Sequence, residues 1–331
     1  MKLGYPAYFE AFSCIASACP DSCCKEWDVA VDADAANNYQ RLPGDLGQTL
    51  RRHMYEEEGR WYFRIVEGRC PMWQQDGLCR IHAELGHDAL CKTCREFPRL
   101  THDYGNFVER GLELACPEAA KMILSAPGGW IWQEVPGGEP PEYDEEAMAV
   151  LLRTRQVALD LVEAFDSAEE MLAVLLLYGY HAQAELDGAE EALFDPRAAL
   201  AEARAFARNG DILQLLEFFR ELEILSEDWL HRLQAPQPGA WLPAYRNLAR
   251  YFVERYWLQA VSDYDLVSRV KLAVVSCLLI HALGGDLEQT AQAYSKEIEN
   301  SAENVEAILD GAYTAPAFTD EKILWILLEN T

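Results

Sequence analysis

Positive charge is scarce in this chain of 331 residues: 28 Lys and Arg stand against 55 Asp and Glu, a formal charge of -27. That balance repels nucleic acid backbones, and no local basic patch offsets it, so no nucleic acid partner is expected. Long apolar runs are missing as well. The longest, Met171 to Tyr178 and Leu272 to Ile280, fall well short of the ~20 residues that cross a bilayer, so no membrane span is expected. Met1 to Glu10 shows neither a basic start followed by apolar residues nor a small-residue cleavage site, and no signal peptide is expected. The glycine-rich turn of doubly wound nucleotide-binding folds is also absent, because Gly128-Gly129 and Gly137-Gly138 sit among prolines.

Cysteine is nearly absent from the last two thirds, where only Cys277 occurs, and it is concentrated in the first 116 residues. There stand Cys14, Cys19, Cys23, Cys24, Cys70, Cys79, Cys91, Cys94 and Cys116. A disulfide framework needs an oxidising compartment; without a visible leader, a reducing cytoplasm is the expected location, and thiolates there remain available as soft metal ligands. The spacings Cys14-x4-Cys19-x3-Cys23-Cys24 and Cys70-x8-Cys79-x11-Cys91-x2-Cys94 let short turns aim several sulfurs at one point. Two zinc sites of four thiolates, with His82, His87 or His102 as substitutes, and iron-sulfur clusters both fit this donor set. The Cys-x3-Cys-x2-Cys spacing of radical enzymes is missing, since Glu26 stands where its third cysteine belongs.

The pattern along the chain points to an α+β, mostly α protein. Residues 1–125 mix strand-like alternation at Glu26 to Asp32 and Arg60 to Val66 with one or two helices from Asp34 to Met54, broken at Pro43-Gly44. Residues 126–144 carry Pro127-Gly128-Gly129, Pro136-Gly137-Gly138 and Pro140-Pro141, and are expected to form an irregular linker. From 145 to 331 the period is helical. Met148, Leu152, Leu159 and Val162 share a face, Ser167 and Glu170 form a capping box, and Asp195-Pro196 reads as an N-cap with proline at the first helical position.

The residues around the cysteines carry more than spacing. Gly68-Arg69-Cys70-Pro71, Gly77-Leu78-Cys79-Arg80-Ile81-His82, Leu90-Cys91-Lys92-Thr93-Cys94-Arg95-Glu96-Phe97-Pro98-Arg99 and Leu114-Ala115-Cys116-Pro117 resemble the flagellin lysine-N-methylase family. So do Arg250 to Tyr256, Val270 to Ser276 and Tyr294 to Ser301 in the helical part. The resemblance implies methyl transfer from S-adenosylmethionine to lysine side chains of flagellin, with a [4Fe-4S] cluster on some of the nine cysteines and zinc as the alternative. Polar residues within the resembling segments are the candidates for a proton path: Tyr294, Glu297, Tyr256 and Arg255, with Glu299, Asp263 and Asp265 beside them. Arg95 and Arg99, just after the Cys91-x2-Cys94 knuckle, are candidates to neutralise a cluster or hold a cofactor carboxylate. The rival reading is a non-catalytic, zinc-stabilised binding or scaffold protein.

Overall fold

Strand-forming and helix-forming residues separate along the chain, and the elements follow them. The computed structural model describes every residue except Glu26, Asp28, Asn330 and Thr331. The first part of the chain supplies β1 (Lys2–Pro6), β2 (Val29–Val31), α1 (Ala33–Arg41), α2 (Gly44–His53), β3 (Met54–Glu57), β4 (Arg60–Phe63), α3 (Arg80–Leu85) and α4 (Lys92–Glu96). It continues with β5 (Arg99–Asp103), β6 (Phe107–Leu112), α5 (Pro117–Ser125) and β7 (Trp130–Glu134). Helices alone follow: α6 (Glu145–Ala164), α7 (Ala168–Leu186), α8 (Pro196–Phe206), α9 (Ile212–Arg220), α10 (Glu227–Gln234), α11 (Tyr245–Tyr256), α12 (Leu266–Leu283), α13 (Leu287–Tyr294), α14 (Ala302–Thr314) and α15 (Asp320–Leu328). The fold is α+β and mostly α.

Local chemistry sets many of these bounds. The Ser167 hydroxyl accepts from Glu170 N–H at the start of α7, and the Asp195 carboxylate caps α8 ahead of Pro196. α1 and α2 part at Pro43-Gly44, where Gly44 takes a left-handed φ of 80°. Of the strand expected over Glu26 to Asp32, β2 is the described part; Glu26 and Asp28 lie outside the described residues.

Two expectations about local structure differ from what is observed. The breaker-rich stretch 126–144 holds a regular strand, β7, which fits between its prolines and pairs antiparallel with β1 from Lys2↔Glu134 to Pro6↔Trp130. That partner is more than a hundred residues away, so no local signal announces it. On α6, Leu152 faces outward at 37% exposure, and the buried stripe runs through Met148, Leu151, Arg155, Ala158 and Val162.

The strands form two sheets. One has the order β5-β6-β1-β7, with β1 parallel to β6 and the other pairs antiparallel; the second is the antiparallel β2-β4-β3. Two apolar cores result. The larger joins the four-stranded sheet and α5 to all the later helices, around α12, which is 94% buried. By length and composition alone α12 is apolar enough to cross a membrane, but here it runs among α7, α11 and α14. The smaller core gathers Val29, Val31, Tyr39, Leu50, Phe63, Met72, Ile81 and Leu90 beneath the three-stranded sheet.

Candidate functional site

All ten cysteines are free thiols. Eight of them fall into two neighbourhoods, and Cys23 lies between these, bonded to Cys24 and near Cys19. Cys24, Cys70, Cys79, Cys91 and Cys94 pack on the smaller core, where Cys70 N–H donates to Cys24 O at 2.7 Å and Cys79 bridges to Trp73. Thiols share protons there. A hydrogen bond from Cys24 holds the Cys70 pKa below the ordinary thiol value, and one from Cys94 does the same for Cys91. The proton-bearing partners move the other way: Cys23 is raised by its bond with Cys24, and Cys94 by its bond with Cys91.

The other neighbourhood contains Cys14, Cys19 and Cys116. Cys14 is exposed, Cys19 and Cys116 are half-buried, and Cys116 packs against the larger core. Burial pushes the Cys116 thiol up to about 11, with Cys19 and Cys14 close enough to add to the shift. The donor chemistry of both groups suits a thiophilic metal or cluster. Among the described residues, no three His, Cys, Asp or Glu side chains close on a common point. His82 and His87 are exposed with their rings 5.9 Å apart, while His102 lies on β5 with its buried Nε2 unpartnered among the described residues.

A cleft of about 570 Å³ opens beside Cys14, Cys19 and Cys116, within the ~300–1,000 Å³ usual for small-molecule sites. Its walls come from five places: Ile15, Pro20 and Asp21 of the first cysteine loop, Pro117 and Glu118 opening α5, Ser226 and Asp228 opening α10, Gln289 and Gln292 of α13, and Lys296 with Glu297. The last two belong to a π-helical turn, Ser295–Glu299, that continues α13 and buries all five of its residues. The wider turn of a π-helix rotates successive side chains away from helical register, and here it aims three charges in three directions.

Lys296 Nζ reaches Asp21 at 2.9 Å and lies 5.1 Å from the Trp27 ring. Burial works to raise the Asp21 pKa, but the ammoniums of Lys296 and Lys25 outweigh it and hold the carboxyl at about 2. Glu297, 2% exposed, accepts from Leu225 N–H at 2.8 Å and from the Ser226 hydroxyl, and faces the cleft. Glu299 points into the protein, accepting from Tyr251 at 2.9 Å and Tyr256 at 2.9 Å and pairing with Arg255 Nε at 3.4 Å.

The candidate residues are therefore divided. Arg255 and Tyr256 meet at Glu299, and Arg255 continues to Glu113 at 3.4 Å, three residues before Cys116. Glu297 stands apart on the cleft wall. Tyr294 bonds Ser276 at 2.5 Å inside the core. Glu297 and Glu299 do not form a solvated face, because the π turn carries both inward. Arg95 lies near Asp32 in a separate surface groove, and Arg99 covers the Phe12 ring at 5.1 Å. Asp263 pairs with Arg269 at 2.9 Å, and Asp265 caps α12.

Sequence reasoning missed three features. Asp21 and Gln292 carry no motif that marks them. Glu254, on α11, is buried against Trp130, whose indole N–H donates to it at 2.7 Å; burial pushes its pKa up to about 7. A small cavity of about 30 Å³ adjoins it, bordered by Tyr8, His102, Trp130 and Tyr251.

Comparison with known proteins places these observations. No family model matches the chain, and no solved structure does. Proteins named lysine-N-methylase from Salmonella typhimurium and Salmonella choleraesuis are each 36% identical over 136 residues, 39% of this chain. The match spans 34% of the length of each of those two proteins. The flagellar biosynthetic protein FliU of Salmonella muenchen is 36% identical over 129 residues, 37% of this chain and 76% of FliU. With three quarters of FliU covered at that identity, and with two lysine-N-methylases matching equally well, the chain belongs to the flagellin lysine-N-methylase family.

Proposed function

We propose that the protein transfers methyl groups from S-adenosylmethionine to lysine side chains of flagellin, in the cytoplasm, with the 570 Å³ cleft as the place of transfer. The observation that carries this reading is the buried Glu297 carboxylate on the wall of a cleft that also borders the cysteine loops.

A lysine amine attacks a methyl group only when neutral, yet its ordinary pKa of about 10.4 keeps it protonated. Glu297 faces the cleft as the proton acceptor. Its bonds from Leu225 N–H and Ser226 Oγ–H fix the carboxylate against the cleft wall. The displacement needs amine nitrogen, methyl carbon and sulfur in line, so both reactants must be held against fixed walls. The openings of α5, α10 and α13 supply those walls. The family resemblance implies an iron-sulfur group, and the cysteines fit it in donor chemistry: Cys14, Cys19 and Cys116 would hold it at the cleft. When bound, it would offer an iron to the amino and carboxylate groups of the donor's methionine part. Arg255, Tyr251 and Tyr256 position Glu299 and, through Glu113, the backbone that leads to Cys116.

The test is to incubate anaerobically prepared protein with flagellin and labelled S-adenosylmethionine and to search for methyl-lysine by mass. Transfer is expected, and Glu297→Gln should lower kcat by about 10²-fold or more. A fully loaded protein that methylates no lysine of its cognate flagellin overturns the proposal.

A further inference from the structure

We infer that the free edge of β7 is a docking site for an extended, lysine-bearing segment of a partner protein, which joins the four-stranded sheet as a further strand.

The register fixes which way the backbone of β7 faces. Met1 and Val135 exchange both backbone hydrogen bonds, and Ala7 N–H donates to Gly129 O at 3.2 Å. Bonded and non-bonded pairs alternate along an antiparallel ladder, so Ile131 and Gln133 bond β1, while the N–H and C=O groups of Trp130, Trp132 and Glu134 point away from it. No described residue bonds those outward groups.

An open edge invites another strand, and proteins commonly blunt such edges with charged residues. The opposite edge of this sheet follows that rule, since β5 turns the backbones of Arg99, Thr101 and Asp103 outward. β7 does not. Ile131 and Trp132 stand on it at 41% and 45% exposure.

The strand is also held ready. Gly4 lets the Trp132 ring lie back across β1, since an added Cβ there would stand 2.7 Å from it, and that ring stacks on Trp130 at 5.9 Å. Trp130 donates to Glu254 at 2.7 Å, with the Arg155 guanidinium over its ring. Both indoles are pinned to the face of the sheet, so a guest strand meets a fixed backbone and less ordering is needed on binding.

Charge selects the guest. From Gly128 to Leu152 the chain has no Lys or Arg, and Glu134, Glu139, Glu142, Asp144, Glu145 and Glu146 are all exposed. Lys2, opposite Glu134 on β1, offsets one of them. A guest that lays apolar side chains beside Ile131 and Trp132 and carries lysines past Glu134 meets complementary charge. A second copy of this chain, with its formal charge of -27, meets repulsion. The inference goes beyond methyl transfer and does not rest on it.

The probe is a synthetic peptide of alternating valine and threonine that ends in lysines, titrated into the full chain while amide exchange is followed residue by residue. In the free protein the amides of Trp130, Trp132 and Glu134 should exchange fast and those of Ile131 and Gln133 slowly. The peptide should slow the outward three by about tenfold or more. Methylating alternate peptide nitrogens removes their donors without changing charge, and should weaken binding about tenfold. Glu139→Lys/Glu142→Lys reverses two exposed charges and should weaken it by a similar factor at low salt, an effect that added salt erases. This variant should keep the alternating exchange pattern of the free strand. No binding, binding that leaves the three amides unprotected, or equal binding of the methylated peptide or of one ending in glutamates overturns the inference. So does protection that grows with protein concentration in the absence of peptide, the sign of a second copy on the edge. If the peptide binds as expected but flagellin is not methylated, the proposed function alone fails.

Discussion

Glu254 shows how one residue's surroundings set its charge. Burial raises its carboxyl from 4.5 to about 7, against the lowering effect of the Trp130 hydrogen bond and of Arg250 and Arg155, with Glu109 adding to the rise. A folded carboxyl that holds its proton more tightly than the unfolded one favours the fold fully below pH 4.5 and loses that contribution as pH climbs through about 7. Glu254→Gln keeps an acceptor for Trp130 and removes the titration. Its melting temperature should therefore fall less than that of the unsubstituted protein between about pH 5 and pH 8, by at most ~3 kcal/mol in stability; calorimetry across that range checks it, and identical slopes would refute the assignment. Glu299 makes the complementary case. Replacing it by Leu takes one of two carboxylates from Arg255, which keeps Glu113, and the acceptor from the buried Tyr251 and Tyr256 hydroxyls, and a loss of about 3 kcal/mol in urea unfolding is expected. The sequence made Arg255, Tyr256 and Glu297 visible as polar residues in resembling segments. It could not show that Glu297 and Glu299 face opposite ways, because that depends on a turn with no residue signature.

Elements were legible where their ends are made by side chains in the chain itself. The Ser167 and Asp195 caps and the Pro43-Gly44 break could be read directly, because each acts within about four residues. β7 and the π turn were not legible, for the same physical reason in reverse. β7 exists because β1 offers it a partner, and the π turn because Asp21, Ser226 and Tyr251 take its three charged side chains. Packing between elements also depends on positions that look neutral in sequence. Gly179 lets α7 approach α12 so closely that an added Cβ would stand 2.8 Å from Val270 Cγ1. Gly179→Ala should cost about 1–3 kcal/mol by overpacking, readable as a lower urea midpoint with an unchanged slope. An unchanged midpoint would show that the two helices part without cost.

At the scale of the whole molecule, the two cores differ in how far their contacts reach along the chain. The smaller is assembled from residues 29 to 91, the larger from residues 5 to 328. Hydrogen exchange should resolve them as separate units, with α12 amides among the slowest and β2, β3 and β4 opening at lower free energy, more so after chelation of bound metal. Equal protection in both would mean a single cooperative unit. The sequence showed the concentration of cysteine in the first third. It could not show that Cys116 packs with the later helices, since Gln292, which bonds the adjacent Ala115, lies 177 residues beyond Ala115. That separation sets an order of events during synthesis. The smaller core and its five thiols leave the ribosome together and have their partners at once. The loops bearing Cys14, Cys19 and Cys116 wait for α13 to be made, so the cleft is finished well after the smaller core, and any group seated there is enclosed later than one beside that core.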